Sequence, residues 1–265
     1  MKISHNMLNT IIIIPCYNEE KRLPIEEFRL YFDTHPEISF LFANDGSKDN
    51  TLQVLQSLSD EYQQVYVYDG GHNQGKANIV RNACNYALSN FQFDYIGFFD
   101  ADLATPLNEI NKFISTIEVK NNDLLLIVGS RVQRLGSNIF RNPLRHYFGR
   151  FFATAVSNIL CLPVYDTQCG AKLLSRLAAE VVYQHPFASR WFFDVEIFAR
   201  LIIHFGYNNT INHCFEYPLD VWIEKGDTRL TTKDFLRTPL EILKLNRIYH
   251  RKIKKIVKSE HKNLK

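Results

Sequence analysis

The first 130 residues alternate between short apolar runs and longer stretches in which apolar positions recur every three or four residues. Thr10–Pro15, Ser39–Asn44, Val65–Tyr68, Tyr95–Asp100 and Leu124–Gly129 are β-branched or aromatic on both faces, as strands buried on both sides are. Between them, Ile25–Asp33, Thr51–Glu61, Lys76–Ser89 and Leu107–Val119 carry helical spacing. Doubly apolar strands separated by helices predict an α/β fold with a mainly parallel sheet and helices on both faces. In such a sheet the loops that follow the strands gather along one edge, where ligands bind. Past Ser130 the pattern loosens into a basic loop, a helix near Leu144–Leu160 and mixed elements to Leu230. A further helix is predicted from about Thr232 into the tail. The expected organisation is one domain over residues 1–230, its halves at about 8–129 and 130–230, followed by a C-terminal helix over 231–265.

The unusual chemistry sits after the strands. Pro15-Cys16-Tyr17-Asn18-Glu19-Glu20 follows the first, Asn44-Asp45-Gly46-Ser47-Lys48-Asp49 the second, Gly70-Gly71-His72-Asn73-Gln74-Gly75-Lys76 the third and Asp100-Ala101-Asp102 the fourth. Any one of these is compatible with a turn or a helix cap, since Asp45-Gly46 is an ordinary turn dipeptide and Asp49 suits a helix start. Four on one edge point to a ligand crevice. Asp100 leaves the apolar run Tyr95–Phe99, and in extended backbone Asp102 would share its face. Two carboxylates held close repel unless one is protonated or a cation lies between them, and such hard oxygen ligands suit Mg²⁺ or Mn²⁺. Gly70-x₄-Gly75-Lys76 nearly spells a phosphate-binding P-loop, but Ala77 supplies no hydroxyl for the metal, which argues against an NTPase.

In order along the chain stand Ile11–Glu20 (I-I-I-I-P-C-Y-N-E-E), Asn44–Thr51 (N-D-G-S-K-D-N-T), Asn73–Lys76 (N-Q-G-K) and Asp100–Pro106 (D-A-D-L-A-T-P). Gly129-Ser130-Arg131, Asp166–Lys172 (D-T-Q-C-G-A-K) and Arg190–Glu196 (R-W-F-F-D-V-E) follow. This ordered set, over roughly residues 8–230, resembles glycosyltransferase family 2. Within it the set is similar to the polyprenyl-phosphate branch of dolichyl-phosphate glucosyltransferases and mannose synthases, and the last two motifs favour the glucosyl side. The resemblance implies a GT-A type, Rossmann-like sheet and an inverting, metal-dependent transfer of a sugar from a UDP-sugar to a lipid phosphate. It implies that Pro15, Tyr17 and Glu19 line the nucleoside pocket, that Asp45 faces the uracil and that Lys76 lies near the nucleotide. Asp100, Ala101 and Asp102 would manage ribose, diphosphate and metal, while Arg131 and Arg145 would grip the acceptor phosphate. Asp194 is the candidate base or acceptor-orienting group, with a helix cap as the alternative. Asn44 stands where relatives carry a first Asp, Ala104 where mannose synthases carry Gln, and Thr228-Arg229 where relatives carry Ser-Lys. Transfer to a saccharide hydroxyl, and nucleotide-sugar binding without catalysis, are the competing functions.

Charge changes the picture at one end. The chain's net charge is +3, yet from Lys244 onward nine Lys/Arg face the single acid Glu260, which leaves −5 on the first 243 residues. An acidic body argues against nucleic-acid binding. The tail places Leu245, Ile248, Tyr249, Ile253, Ile256 and Val257 at helical spacing among basic residues. Such a helix suits either an anionic bilayer surface or packing on its own domain. Five cysteines without C-x-x-C give no zinc template and fit reduced thiols in a cytoplasmic protein. The polar Met1–Asn9 predicts no signal peptide, and no apolar run is long enough to span a bilayer.

Overall fold

The structure, a computed structural model, describes residues 8–140, 143–225 and 232–263, with the side chains of 140–151, 232–237 and 263 outside the description. Strands β1 (Thr10–Cys16), β2 (Ile38–Asn44), β3 (Val65–Asp69), β4 (Tyr95–Phe99), β5 (Leu126–Ser130), β7 (Ala171–Ser175) and β8 (Cys214–Pro218) form one sheet, in the order β3-β2-β1-β4-β7-β5-β8. Each neighbouring pair is parallel except those made by β7, which runs antiparallel to both β4 and β5. A second, parallel pair joins β6 (Asn138–Phe140) to β9 (Val221–Ile223). Helices α1 (Ile25–Thr34), α2 (Thr51–Glu61), α3 (Lys76–Asn90) and α4 (Asn108–Val119) connect the first five strands, as the spacing predicts. α5 (Pro143–Leu160), α6 (Arg176–Tyr183), α7 (Phe193–Phe205) and α8 (Tyr207–His213) follow.

The sheet is apolar through its thickness because both faces are covered. Ile11, Ile12, Ile13 and Ile14 are all buried, and so are Phe40, Leu41 and Phe42 of β2. α1 presents Phe28, Tyr31 and Phe32 one turn apart, and their rings meet Phe40 and Phe42 edge-on at centroid separations of 4.8–6.4 Å. Parallel register aligns Cys16 with Asn44 and Asn44 with Asp69, so the loops leaving β1, β2 and β3 emerge side by side. The reversed strand β7 is not foreseen by the alternating pattern. A Cβ on Gly97 would overlap the Lys172 carbonyl, so the glycine inside the apolar β4 marks the close approach of β7.

The tail continues through α9 (Thr232–Leu245), a π-helical turn at Asn246–His250 and α10 (Arg251–Asn263). Leu245, Tyr249 and Ile253, four residues apart, are buried, and Ile248 and Val257 pack against the same core. Full burial of such side chains stabilises by about 1.5–3 kcal/mol each. Glu260 accepts the Tyr207 and Asn208 amides (2.9 and 2.7 Å), satisfying the start of α8. Arg247, Arg251, Lys252, Lys254, Lys255 and Lys258 stay exposed. The apolar stripe of the tail therefore belongs to the domain, and its basic side faces water. No helix of the described residues is long and apolar enough to cross a membrane.

Candidate active site

The loops after β1 and β2 are stitched together by short polar side chains. Asn18, in the left-handed region at φ +51°, accepts the Lys48 amide (2.8 Å) and donates its own amide to Ser47 Oγ (3.0 Å). The Glu19 amide donates to Thr51 Oγ1 (2.8 Å), and the Glu19 side chain is buried. Pro15, near the end of β1, and Tyr17, on the loop that follows, are half-buried. Asn44 donates from Nδ2 to Asp69 Oδ1 (2.8 Å) and accepts the Ser47 amide, joining the ends of β2 and β3.

Asp45, which the resemblance sets against the uracil, has its carboxylate tied into the loop that leads to α3. It is buried, and its two oxygens accept the amides of Gln74 and Gly75 at 2.7 and 2.8 Å. These are the amides just ahead of α3 and at its N-cap Gly75 (φ +83°), so Asp45 ties the loop after β2 to the segment that leads into that helix. Burial pushes the Asp45 carboxyl above the usual range, and the two amides and the nearby Arg190 charge oppose that rise.

β4 ends at Phe99, and the acidic pair lies in a turn rather than in extended backbone, contrary to the geometry expected from its spacing. Leu103, at φ +50°, donates its amide to the Asp100 carbonyl (3.1 Å), and Asp102 accepts the Ala104 amide (3.0 Å). Ala101 between them is buried. The turn still couples the two acids, because burial first and then the charge of Asp100 raise the Asp102 pKa. Asp100 pairs with the Lys76 ammonium, both side chains being about 40% exposed. Burial works to lower the Lys76 pKa, but Asp100, Asp194 and Asp102 hold it above the ordinary value. Asp100 also packs against Gly170, where any Cβ would overlap its carboxylate. Two hard-oxygen side chains and one lysine thus lie at the open end of β4. Among the described residues no group of three or more His, Cys, Asp or Glu is set to hold a metal. The pair fits a divalent ion only if further oxygens come from the ligand, which is how Mg²⁺ is usually bound.

A residue to which sequence reasoning gave no role lies beneath. Lys172 is fully buried in β7, its Nζ 2.6 Å from Asp194 Oδ1 and donating to the Cys169 carbonyl (2.5 Å). Lys76 and Lys172 each lie 5.2 Å from the Phe98 ring centroid. The signal was present as one lysine inside an otherwise apolar strand, Ala171–Ser175. Asp194 is the second residue of α7, whose N-cap is Phe192, so it is not the cap of this helix. Its buried carboxylate is held by an ammonium instead.

Arg131 is likewise engaged. Nε and Nη2 donate to the two oxygens of Asp166 at 2.6 and 2.8 Å, and the guanidinium lies 5.4 Å from the Trp222 ring. Asp166 holds the guanidinium in bidentate fashion through Nε and Nη2, and Nη1 takes no part in that pair. The Arg145 side chain lies outside the described residues, as do Thr228 and Arg229.

A largely parallel α/β sheet with an acidic pair opening from β4 into a multi-loop edge is the architecture of a GT-A glycosyltransferase. Residues 11–182 match Glycosyl transferase family 2, and the chain belongs to that family. It is 28% identical over 248 residues to the dolichyl-phosphate beta-glucosyltransferase ALG5C of Trichomonas vaginalis, covering 89% of this chain and 70% of that one. It is 32% identical over 196 residues to ALG5D of the same organism, covering 70% of this chain and 59% of that one. To the Saccharomyces cerevisiae dolichyl-phosphate beta-glucosyltransferase it is 29% identical over 207 residues, covering 70% and 60%. The chain thus spans about three-fifths to seven-tenths of the length of these relatives. Among solved structures, glucosyl-3-phosphoglycerate synthase of Mycobacterium tuberculosis with Mn²⁺, UDP-glucose and phosphoglyceric acid superposes with a TM-score of 0.64. It is 13% identical and the match covers 90% of this chain and 78% of that one, a likeness of fold.

Proposed function

We propose that the protein transfers a hexosyl group, glucose by its relatives' names, from a UDP-sugar to a polyprenyl or dolichyl phosphate. The observation that carries this reading is the Asp100–Asp102 pair, backed by Lys76 at the edge where the strand loops converge. An acceptor phosphate oxygen attacks the anomeric carbon from the face opposite the nucleotide. The bond from that carbon to the β-phosphate oxygen breaks, and UDP departs with the bonding pair, inverting the configuration. Pro15, Tyr17 and Glu19 line the nucleoside side, Asp45 holds the start of α3 in place and Lys76 faces the nucleotide. Asp102, with Asp100, would hold Mg²⁺ or Mn²⁺, whose charge would stabilise the departing diphosphate.

A phosphate monoester is anionic near neutral pH and needs no general base, unlike a saccharide hydroxyl. Asp194, closed off by Lys172, therefore suits a phosphate acceptor, and we assign it the role of ordering the acceptor side through Lys172. Arg131 and Arg145 would grip the acceptor phosphate, as the family resemblance implies. Calorimetric titration with UDP, with and without Mn²⁺, tests the donor half: divalent-dependent binding that Asp102→Asn abolishes supports it, and metal-independent or absent UDP binding overturns it.

We further place this chemistry at the cytoplasmic face of a membrane, where the free cysteines would stay reduced. The exposed basic side of α10, with Leu240 and Leu243 exposed on α9, supports contact by charge rather than by insertion. Each basic residue near an anionic surface contributes about 1 kcal/mol. Lys254→Glu/Lys255→Glu/Lys258→Glu leaves the buried stripe intact and should release the protein from anionic liposomes. Equal binding to neutral and anionic liposomes would refute the contact.

A further inference from the structure

We infer that Arg190, on the loop before α7, is a further substrate-positioning residue that grips the phosphates of the bound nucleoside diphosphate; this rests on the donor reading above. The inference comes from comparing the cations at the site. Lys76 pairs with Asp100, Lys172 with Asp194, Arg131 with Asp166, and Lys112 and Arg134 with Asp220. The exposed Arg190 guanidinium has neither a hydrogen bond nor an ion pair among the described residues.

An exposed, unpaired arginine is ordinarily a solvated charge. Three features separate this one. The guanidinium is packed against Gly75, with Nη2 2.7 Å and Nε 3.1 Å from the position a Cβ would take, which sets it at the head of α3. Its charge reaches Asp45, yet no hydrogen bond joins the two, so the arginine keeps its donors. The loop that carries it is fixed from beneath. The fully buried Glu196 accepts the amides of Ala188 and Ser189 (3.1 and 2.7 Å) and the Tyr249 hydroxyl (2.5 Å). Ser189 Oγ in turn accepts the Phe192 amide (3.0 Å). The backbone on both sides of Arg190 is thereby pinned, and the tail helps to pin it. A permanent, planar cation with free donors, held beside Lys76 at the loop edge, suits a diphosphate.

The test is calorimetry on wild type and Arg190→Gln with the nucleoside diphosphate that wild type holds most tightly among UDP, GDP and ADP, beside the matching nucleoside. A base other than uracil would count against the donor reading and not against Arg190. The expected result is about a tenfold loss of diphosphate affinity, ~1.4 kcal/mol, with nucleoside affinity unchanged. Arg190→Lys should recover part of the loss, and the melting temperature should stay that of wild type. Unchanged diphosphate affinity, an equal loss for the nucleoside, or a lowered melting temperature would each overturn the assignment.

Discussion

Replacing Lys172 by Met tests how the interior beneath the acidic pair is held. The methionine keeps the length of the side chain and removes the ammonium. Lys172 is fully buried and Asp194 nearly so, and their charged atoms stand 2.6 Å apart. Removing one partner of a buried pair leaves the other charge uncompensated, which typically costs about 3–5 kcal/mol. For a chain of 265 residues, each kcal/mol shifts the melting temperature by roughly 2–4 °C, so the expected fall is on the order of 6–20 °C. Urea denaturation followed by circular dichroism gives the free energy directly. The cycle is completed with Asp194→Asn and the double variant. The double variant should lose less than the two single losses added, by at least about 2 kcal/mol, because it strands no charge. A Lys172→Met protein within 1 kcal/mol of wild type, or strictly additive losses, would refute the view that this pair is one buried unit.

Other parts of the structure are open to equally direct checks. Gly170→Ala should abolish transfer while costing little stability, because the new methyl displaces the Asp100 carboxylate; wild-type turnover would show that Asp100 is not needed there. Burial and the bond to Glu196 push the Tyr249 hydroxyl up to about 12, so the folded state holds that proton more tightly than the unfolded chain. Its contribution is intact below about pH 10 and lost as pH rises from 10 toward 12, a dependence that Tyr249→Phe should flatten in alkaline melting curves. Burial raises the thiol of Cys169 to about 11 and leaves Cys16 and Cys84 enclosed, whereas Cys161 is half-exposed. Limited alkylation read by mass spectrometry should therefore label Cys161 well before Cys16, Cys84 or Cys169, and early labelling of Cys169 would contradict its burial.

Strands buried on both faces write their own signature, and the first five strands and four helices were legible from spacing alone. β7 was not, because a reversed strand inserted between β4 and β5 reads like its parallel neighbours. Gly97 was its one local trace. At the site, the loop positions and the acidic pair were legible, since an acid closing an apolar strand conflicts with packing and stands out. The partners were not. Which carboxylate takes which cation depends on contacts between distant segments, such as Arg131 with Asp166 and Lys172 with Asp194. Asp45 shows the same limit: its residue type suits a ligand, and only the folded chain brings the Gln74 and Gly75 amides onto its oxygens. The tail's apolar spacing was correct but silent on its partner, which proved to be α7 and α8 for the buried stripe.

The most direct measurement is mass spectrometry of lipid extracted after the purified protein is incubated with polyprenyl phosphate, Mn²⁺ and a panel of UDP- and GDP-sugars. The expected result is one hexosyl unit added to the lipid phosphate from UDP-glucose with wild type, and none with Asp102→Asn. A wild type that glycosylates no lipid phosphate from any donor, or an Asp102→Asn protein that turns over normally, would contradict it.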